Sequence, residues 1–92
     1  ILSGRNNHDW RASTAHLRRI LEATGRFDVR VTEEPSALTR ETLRPYHVLV
    51  SDYCGPRWSA AAEDAVASFV RGGKGLVAVH AALAGAGRLR VI

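Results

Sequence analysis

The chain has 92 residues, which is enough for one small domain. Hydrophobic residues make up 46% and charged residues 24%, a composition typical of a soluble globular protein and unlike that of a disordered chain. Its apolar runs are far shorter than the roughly 20 residues of a membrane span. The single cysteine, Cys54, excludes an internal disulfide framework and a multi-cysteine zinc site.

The formal net charge of +4 invites a comparison with nucleic-acid-binding proteins. However, Lys74 is the only lysine, and the arginines are spread from Arg5 to Arg90 instead of forming one basic patch. We therefore predict neither a nucleic acid nor a membrane as a partner. The chain contains no methionine, so the natural start is absent or processed, and a cytoplasmic location is only the default expectation.

A strand and a helix are predicted at the beginning of the chain. Ile1 to Ser3 read like the end of a β-strand that runs into a glycine turn. A helix follows over 12–24, and Gly25 suits the left-handed position after its end. Ser13 or Thr14 is predicted to cap its start. Its apolar residues have the i, i+3, i+4 spacing of one helix face: Leu17, Ile20 and Leu21.

Two strands are predicted in the middle of the chain. Phe27 to Val31 alternates apolar with charged residues, which indicates a strand at the edge of a sheet. One or two helical turns are predicted over Thr39 to Leu43, before Pro45. His47 to Ser51 is nearly continuous in apolar character, as expected of a buried parallel strand.

A loop, a second helix and a further strand follow. The loop spans Asp52 to Arg57, and Ser59 is predicted to cap the helix, which ends at Gly72-Gly73. Gly75 to Val79 is predicted to form another buried strand. Four apolar residues share one face of the helix: Ala62, Val66, Phe69 and Val70.

This alternation predicts an α/β fold, flavodoxin-like or Rossmann-like, with a doubly wound, mostly parallel sheet that is incomplete in this chain. Ligands of such sheets bind beyond the carboxyl ends of the strands. Three segments are predicted to lie there, namely 4–10, 52–58 and 80–82. Their side chains are unusually polar and aromatic: Asn6, Asn7, His8, Asp9, Trp10, Asp52, Tyr53, Cys54, Trp58 and His80.

Several segments in collinear order resemble the trehalose-utilisation (ThuA-like) family of the class I glutamine-amidotransferase-like superfamily. The segments that carry the resemblance are 4–11 (GRNNHDWR), 25–29 (GRFDV), 46–50 (YHVLV) and 72–82 (GGKGLVAVHAA). The resemblance implies a flavodoxin-like fold and an association with carbohydrate utilisation. It covers 1–83 as the N-terminal part of a domain, and 84–92 is interpreted as an atypical tail, truncated or frame-altered.

The resemblance also implies which reaction to exclude. In the glutaminase relatives a strand-to-helix elbow presents a nucleophilic cysteine. Here the matching elbow runs from Ala78 to Ala82 and places His80 at the position of the nucleophile. An imidazole cannot form the glutamyl thioester, and Cys54 lies in a different loop. We therefore expect no glutaminase activity.

The expected ligand is a saccharide or keto-sugar. His8 and His80 match characteristic histidines of the family and are the candidate catalytic residues, as a general acid/base pair. Alternatively, they bind a divalent metal together with Asp9 or a residue beyond the end of the chain. The candidate substrate-binding residues come from two of the polar segments: Asn7, Asp9, Trp10, Asp52 and Tyr53. Asp9 also suits a helix cap.

Other interpretations remain open at this stage. Asp52 stands where receiver domains carry their phosphoacceptor, although the acidic pair that binds magnesium there is missing. An NAD site is not expected, since the loop after the first strand contains only Gly4 of the required glycines. As an alternative to an enzyme, the chain is a non-catalytic ligand-binding or interaction domain, or a fragment without function. An exposed sheet edge would then favour a homodimer or aggregation.

Overall fold

The computed structural model describes residues 1–4 and 9–79, which form a small α/β unit around a parallel sheet. This confirms the predicted fold class. The predicted tail at 84–92 lies outside the described residues. The elements, in chain order, are β1 (Leu2–Gly4), α1 (Trp10–Ala23), a 3-10 turn (Pro35–Ala37), α2 (Arg40–Leu43), β2 (Val48–Tyr53), α3 (Ala60–Arg71) and β3 (Gly75–Ala78).

The three strands are parallel and lie in the order β1-β2-β3. Leu2 pairs with Ser51, and Ser51 in turn pairs with Ala78. On the other edge of β1, Thr32 forms a single parallel bridge to Leu2. The chain therefore leaves β1 toward one edge of the sheet and returns across it, which places helices on both faces.

The main apolar core lies on the face that packs against α3, where the side chains of alternate strand residues meet the helix. Leu2 and Val66 are fully buried there. Other buried members of this cluster come from α2, β2, the following loop and α3: Leu43, Leu49, Tyr53, Trp58, Ala62, Ala65 and Phe69. The predicted apolar face of α3 and its Ser59 cap, which accepts from the Ala62 N–H, are confirmed.

The other face of the sheet lies under α1 and is only partly covered. Val48 is 43% exposed and Val77 is 50% exposed. Together with α1 and residues 27–32, which run along the edge of the sheet, they line an open apolar groove of about 670 Å³. The expectation that Gly75 to Val79 is buried on both faces is therefore wrong for the α1 side, where Ile20 of the predicted stripe is also 51% exposed.

The predicted strand at Phe27 to Val31 is wrong, because no residue of this segment pairs as a strand with the described part of the chain, and the parallel bridge to Leu2 is formed by the following residue, Thr32. The Ser3 N–H donates to the Thr32 carbonyl at 2.8 Å, and the Thr32 N–H donates to the Ile1 carbonyl at 2.9 Å. The preceding residues run along the edge in an irregular conformation. Of the three apolar residues in the alternating pattern, Val29 is buried, whereas Phe27 is 48% exposed and Val31 is 37% exposed.

Two predicted boundaries are corrected as well. β2 continues through Asp52 and Tyr53, which were expected in a loop, because both pair with β1 through Ser3 and Gly4. Helix α1 begins at Trp10 and is capped by Asp9, so the expectation of a Ser13 or Thr14 cap is wrong. Gly25 does adopt the predicted left-handed conformation, with φ of 70°.

No helix in the described part of the chain is long and apolar enough to cross a lipid bilayer.

Candidate functional site

The carboxyl ends of β1 and β2 lie side by side, and we call this rim of the sheet the carboxyl edge. Gly4 pairs with Tyr53 at the ends of the two strands. Asp9 and Trp10 start α1 next to this rim. The structure therefore brings together Asp9, Trp10 and Asp52. Of the other predicted site residues, Asn7, His8 and His80 lie outside the described residues.

Asp52 is 4% exposed, and its carboxylate is turned beneath the first turns of α1. Its Oδ2 accepts a hydrogen bond from Ser13 Oγ at 2.7 Å and another from Thr14 Oγ1 at 3.0 Å. Because the Thr14 hydroxyl has one proton to give, it accepts in its 2.5 Å contact with Ser3 Oγ. These bonds connect β1, α1 and β2, and they fix the start of α1 against the carboxyl edge.

The burial of Asp52 argues against its interpretation as the phosphoacceptor of a receiver domain. A phosphoacceptor carboxylate has to meet its phosphodonor, whereas two hydroxyl groups and the body of α1 cover that of Asp52. In this arrangement Asp52 acts on the site by holding Ser13 and Thr14. Its direct contact with a substrate stays a prediction.

Asp9 orients α1 from its outer end. The N–H of Ala12 donates to Asp9 Oδ1 at 3.2 Å, and the Ser13 N–H donates to the Asp9 carbonyl at 3.0 Å. A carboxylate at this position satisfies an otherwise unpaired helix N–H and complements the positive end of the helix dipole. Asp9 is exposed, so a carboxylate oxygen also faces solvent at the rim.

A polar pocket of about 470 Å³ opens beside the start of α1. We call it the polar pocket, and the described residues that line it are Gly4, Trp10, Arg11, Glu33 and Glu34. The guanidinium carbon of Arg11 lies 4.2 Å from the centroid of the Trp10 ring, a cation–π contact that holds both side chains at the pocket wall. The described lining of the polar pocket thus includes an aromatic ring, a guanidinium and two carboxylates.

Tyr53 lies on the opposite face of the sheet from Asp52, since neighbouring strand residues point in opposite directions. It is 4% exposed, and its hydroxyl donates to the Pro56 carbonyl at 3.0 Å. Its ring centroid is 6.4 Å from that of Trp58. Tyr53 therefore belongs to the α3 core in this structure, and the arrangement does not bring it together with Trp10.

The loop after β2 is tied to α3 by an ion pair. Arg57 donates to both carboxylate oxygens of Glu63, each at 2.9 Å. The hydrogen bond to this carboxylate raises the pKa of Arg57 above its usual range. In the same loop the Cys54 N–H donates to the Gly4 carbonyl at 3.3 Å, which links the ends of β1 and β2.

Two of the residues proposed to bind a metal ion, His8 and His80, lie outside the described residues. Within residues 1–4 and 9–79, no three His, Cys, Asp or Glu side chains gather closely enough to bind a metal ion. Of the proposed ligands only Asp9 is described, and its Oδ1 is engaged in the helix cap.

Reasoning from the sequence missed two groups of site residues. Ser13 and Thr14 were interpreted as caps, although their position one turn inside a helix is where hydroxyls can reach a neighbouring strand. Glu33 and Glu34 lie outside the three segments predicted to form the site, because nothing in a single sequence shows that Thr32 pairs with β1. Asp52 was predicted to lie in a loop, so no signal in the sequence indicated its buried contact with the Ser13 and Thr14 hydroxyls.

The model of one protein family, described as trehalose utilisation (ThuA), matches residues 1–90 of the chain. No curated protein and no solved structure gives a significant match.

Proposed function

Because this chain belongs to the trehalose-utilisation (ThuA) family, we propose that its domain binds a saccharide or keto-sugar at the carboxyl edge and has no glutaminase activity. The observation that carries the proposal is the position of Trp10. Its ring stands at the start of α1, at the wall of the polar pocket and next to the ends of two strands. An aromatic ring beside polar acceptors suits the apolar face and the hydroxyl groups of a sugar.

Two candidate catalytic histidines adjoin described positions of this edge. His8 precedes Asp9 directly in sequence, and His80 follows Val79. The Val79 N–H donates to the Ser51 carbonyl at 2.9 Å, one residue before Asp52. We propose that the two imidazoles form a general acid/base pair for a bound sugar, since imidazole titrates near neutral pH.

The expected lack of glutaminase activity follows from the missing nucleophilic cysteine. A thioester with glutamine requires a thiolate at the position that matches the nucleophile of the glutaminase relatives, where this chain has His80. Cys54 follows β2 instead, and it is half-buried. We expect no release of glutamate from glutamine, measured by mass spectrometry with the purified chain. Release of glutamate would contradict this part of the proposal.

Titration calorimetry with trehalose and with fructose tests the binding. We expect saturable binding of at least one of them, and a loss of about tenfold in affinity for Trp10→Ala, as for removal of a stacking ring and its buried area. Phe27→Ala is the matched control, because Phe27 is an exposed aromatic residue outside the polar pocket. No saturable binding of either sugar by the unaltered chain would contradict the proposal.

The proposed catalytic role of His80 is tested by a separate measurement. Product formation from the bound sugar, followed by mass spectrometry, is expected to disappear in His80→Ala. Unchanged turnover in this variant would remove His80 from the mechanism. Saturable binding without any product would instead support a non-catalytic binding domain on the same scaffold.

A further inference from the structure

Ser13 connects the buried carboxylate of Asp52 to the backbone of Trp10. Its Oγ lies 2.7 Å from Asp52 Oδ2 and 3.3 Å from the Trp10 carbonyl oxygen. The hydroxyl has a single proton, which the shorter bond to the carboxylate takes, so the carbonyl is the weaker of its two contacts. Ser13 and Trp10 are three residues apart in α1 and lie on the same side of its first turn. Asp52 therefore reaches the residue that carries the aromatic ring through one intervening side chain.

Asp52 is a fixed point for this connection. It is 4% exposed, and in the sheet it pairs with Ser3 of β1. The Ser3 hydroxyl contacts Thr14 Oγ1, and Thr14 donates to the same oxygen of Asp52 at 3.0 Å. Two neighbouring strands thus hold the beginning of α1 through hydroxyl and carboxylate groups.

Apolar packing contributes little to the position of this helix start. Among the residues of α1, which are all described, only Thr14 is buried, and Trp10 is half-buried. Leu17 and Leu21 are half-buried as well, and they lie farther along the helix. A binding residue keeps its geometry when hydrogen bonds behind it fix its backbone and rotamer. The orientation of the Trp10 ring consequently depends on the polar contacts beneath α1.

We propose that Asp52 is a positioning residue: through Ser13 it fixes the first turn of α1, so that the Trp10 ring is oriented for a saccharide in the polar pocket. This inference rests on the proposed function and gives Asp52 an indirect part in it. Without the connection, the ligand itself has to order the ring when it binds, which costs binding free energy. Direct contact of Asp52 with the sugar is the alternative that the experiment distinguishes.

The variant Ser13→Ala removes the connecting hydroxyl and leaves Asp52 with the bond from Thr14. In titration calorimetry with whichever of trehalose and fructose binds the unaltered chain, we expect about a threefold loss of affinity, the cost of ordering one side chain. Ser13→Thr keeps a hydroxyl and should retain the affinity. The matched control is Ser59→Ala, which removes the capping hydroxyl of α3 and should leave the affinity unchanged. Thermal unfolding of each variant checks that it is folded.

A double-mutant cycle tests whether Ser13 acts through Trp10. If it does, Ser13→Ala has no further effect on affinity in a chain that already carries Trp10→Ala. Losses that add would show that Ser13 acts independently of the ring, and they would contradict the proposal. An affinity that is unchanged in Ser13→Ala but weakened in Asp52→Ala would contradict it as well, since Asp52 would then act without Ser13.

A measurement without sugar separates this inference from the proposed function. Trp58 is 5% exposed whereas Trp10 is half-buried, so acrylamide quenching of the tryptophan fluorescence reports mainly on Trp10. We expect Ser13→Ala and Asp52→Ala to raise the quenching constant, and Ser59→Ala to leave it unchanged. Unchanged quenching in the first two variants overturns the inference even if sugar binding stands. If neither sugar binds the unaltered chain, the proposed function fails together with the saccharide part of this inference, whereas raised quenching still shows that Asp52 holds the ring.

Discussion

The sheet face that packs against α3 buries Leu49 to 5% exposure, whereas the face beneath α1 leaves its neighbour Val48 43% exposed. On the α3 face, apolar side chains of two helices and two strands form one continuous cluster. On the α1 face, the only buried residue of the helix is Thr14, and it contacts a carboxylate and a hydroxyl instead of an apolar surface.

The two faces are therefore stabilised by different physical terms. The α3 face depends on buried apolar area, which is non-directional and tolerates small shifts of the helix. The α1 face depends on hydrogen bonds between Ser13, Thr14 and Asp52, which fix the direction of the helix start and lose their strength when the geometry changes. A candidate site at the start of α1 benefits from this directional attachment.

The largest effect is expected on the α3 face. Leu49→Ala should lower the free energy of unfolding by about 2–5 kcal/mol, since it removes a buried side chain and leaves a cavity. Val48→Ala is the control on the neighbouring residue and should cost about 1 kcal/mol or less, because much of its side chain is already in solvent. Urea unfolding followed by circular dichroism measures both. Equal costs would show that the two faces are equally covered.

A smaller effect is expected beneath α1. Asp52→Ala leaves the Ser13 and Thr14 hydroxyls without their acceptor at a buried position, which should cost about 1–3 kcal/mol in the same unfolding measurement. The quadruple variant Ser3→Ala/Ser13→Ala/Thr14→Val/Asp52→Ala removes the three hydroxyls and the carboxylate together and should recover part of this loss. A quadruple variant less stable than Asp52→Ala would contradict the assigned network.

These two regions also differ in how far the sequence predicts them. The α3 face follows from periodicity, since apolar residues at helix spacing and a continuous apolar strand report burial directly. The contact of α1 with Asp52 depends on which strands become neighbours, and on Asp52 lying within β2 instead of in a loop. A single sequence does not contain that pairing, and hydroxyls near a helix start fit a cap equally well.

The candidate site shows the same limit. The sequence predicted that Trp10 and Asp9 lie at the carboxyl edge, because loops after parallel strands meet there. It did not predict Glu33 or Glu34 beside them, since their position depends on the single bridge of Thr32 to β1. The alternation of Phe27 to Val31 suggested a full strand, but the segment buries only Val29 and its backbone is irregular.

The helix caps provide a matched comparison between the faces. Asp9→Ala on α1 and Ser59→Ala on α3 each remove one acceptor for a helix N–H, with bonds of 3.2 and 3.1 Å, and each should cost about 1 kcal/mol. Only Asp9→Ala is expected to weaken trehalose binding as well, because it loosens the turn that carries Trp10. A weaker affinity in Ser59→Ala of the same size would show that both variants act through global stability.

The smallest effect is expected at an exposed charge pair. Arg40 of α2 donates to Asp64 of α3 at 2.7 Å, but the two side chains are 65% and 58% exposed. A double-mutant cycle with Arg40→Ala and Asp64→Ala should give a coupling of about 0.2–1 kcal/mol that decreases with added salt, since water and ions already solvate both charges. The Asp52 network is buried and should change little with salt. A coupling between Arg40 and Asp64 that does not change with salt would contradict this distinction between exposed and buried contacts. A stability cost of Asp52→Ala that changes strongly with salt would contradict it as well.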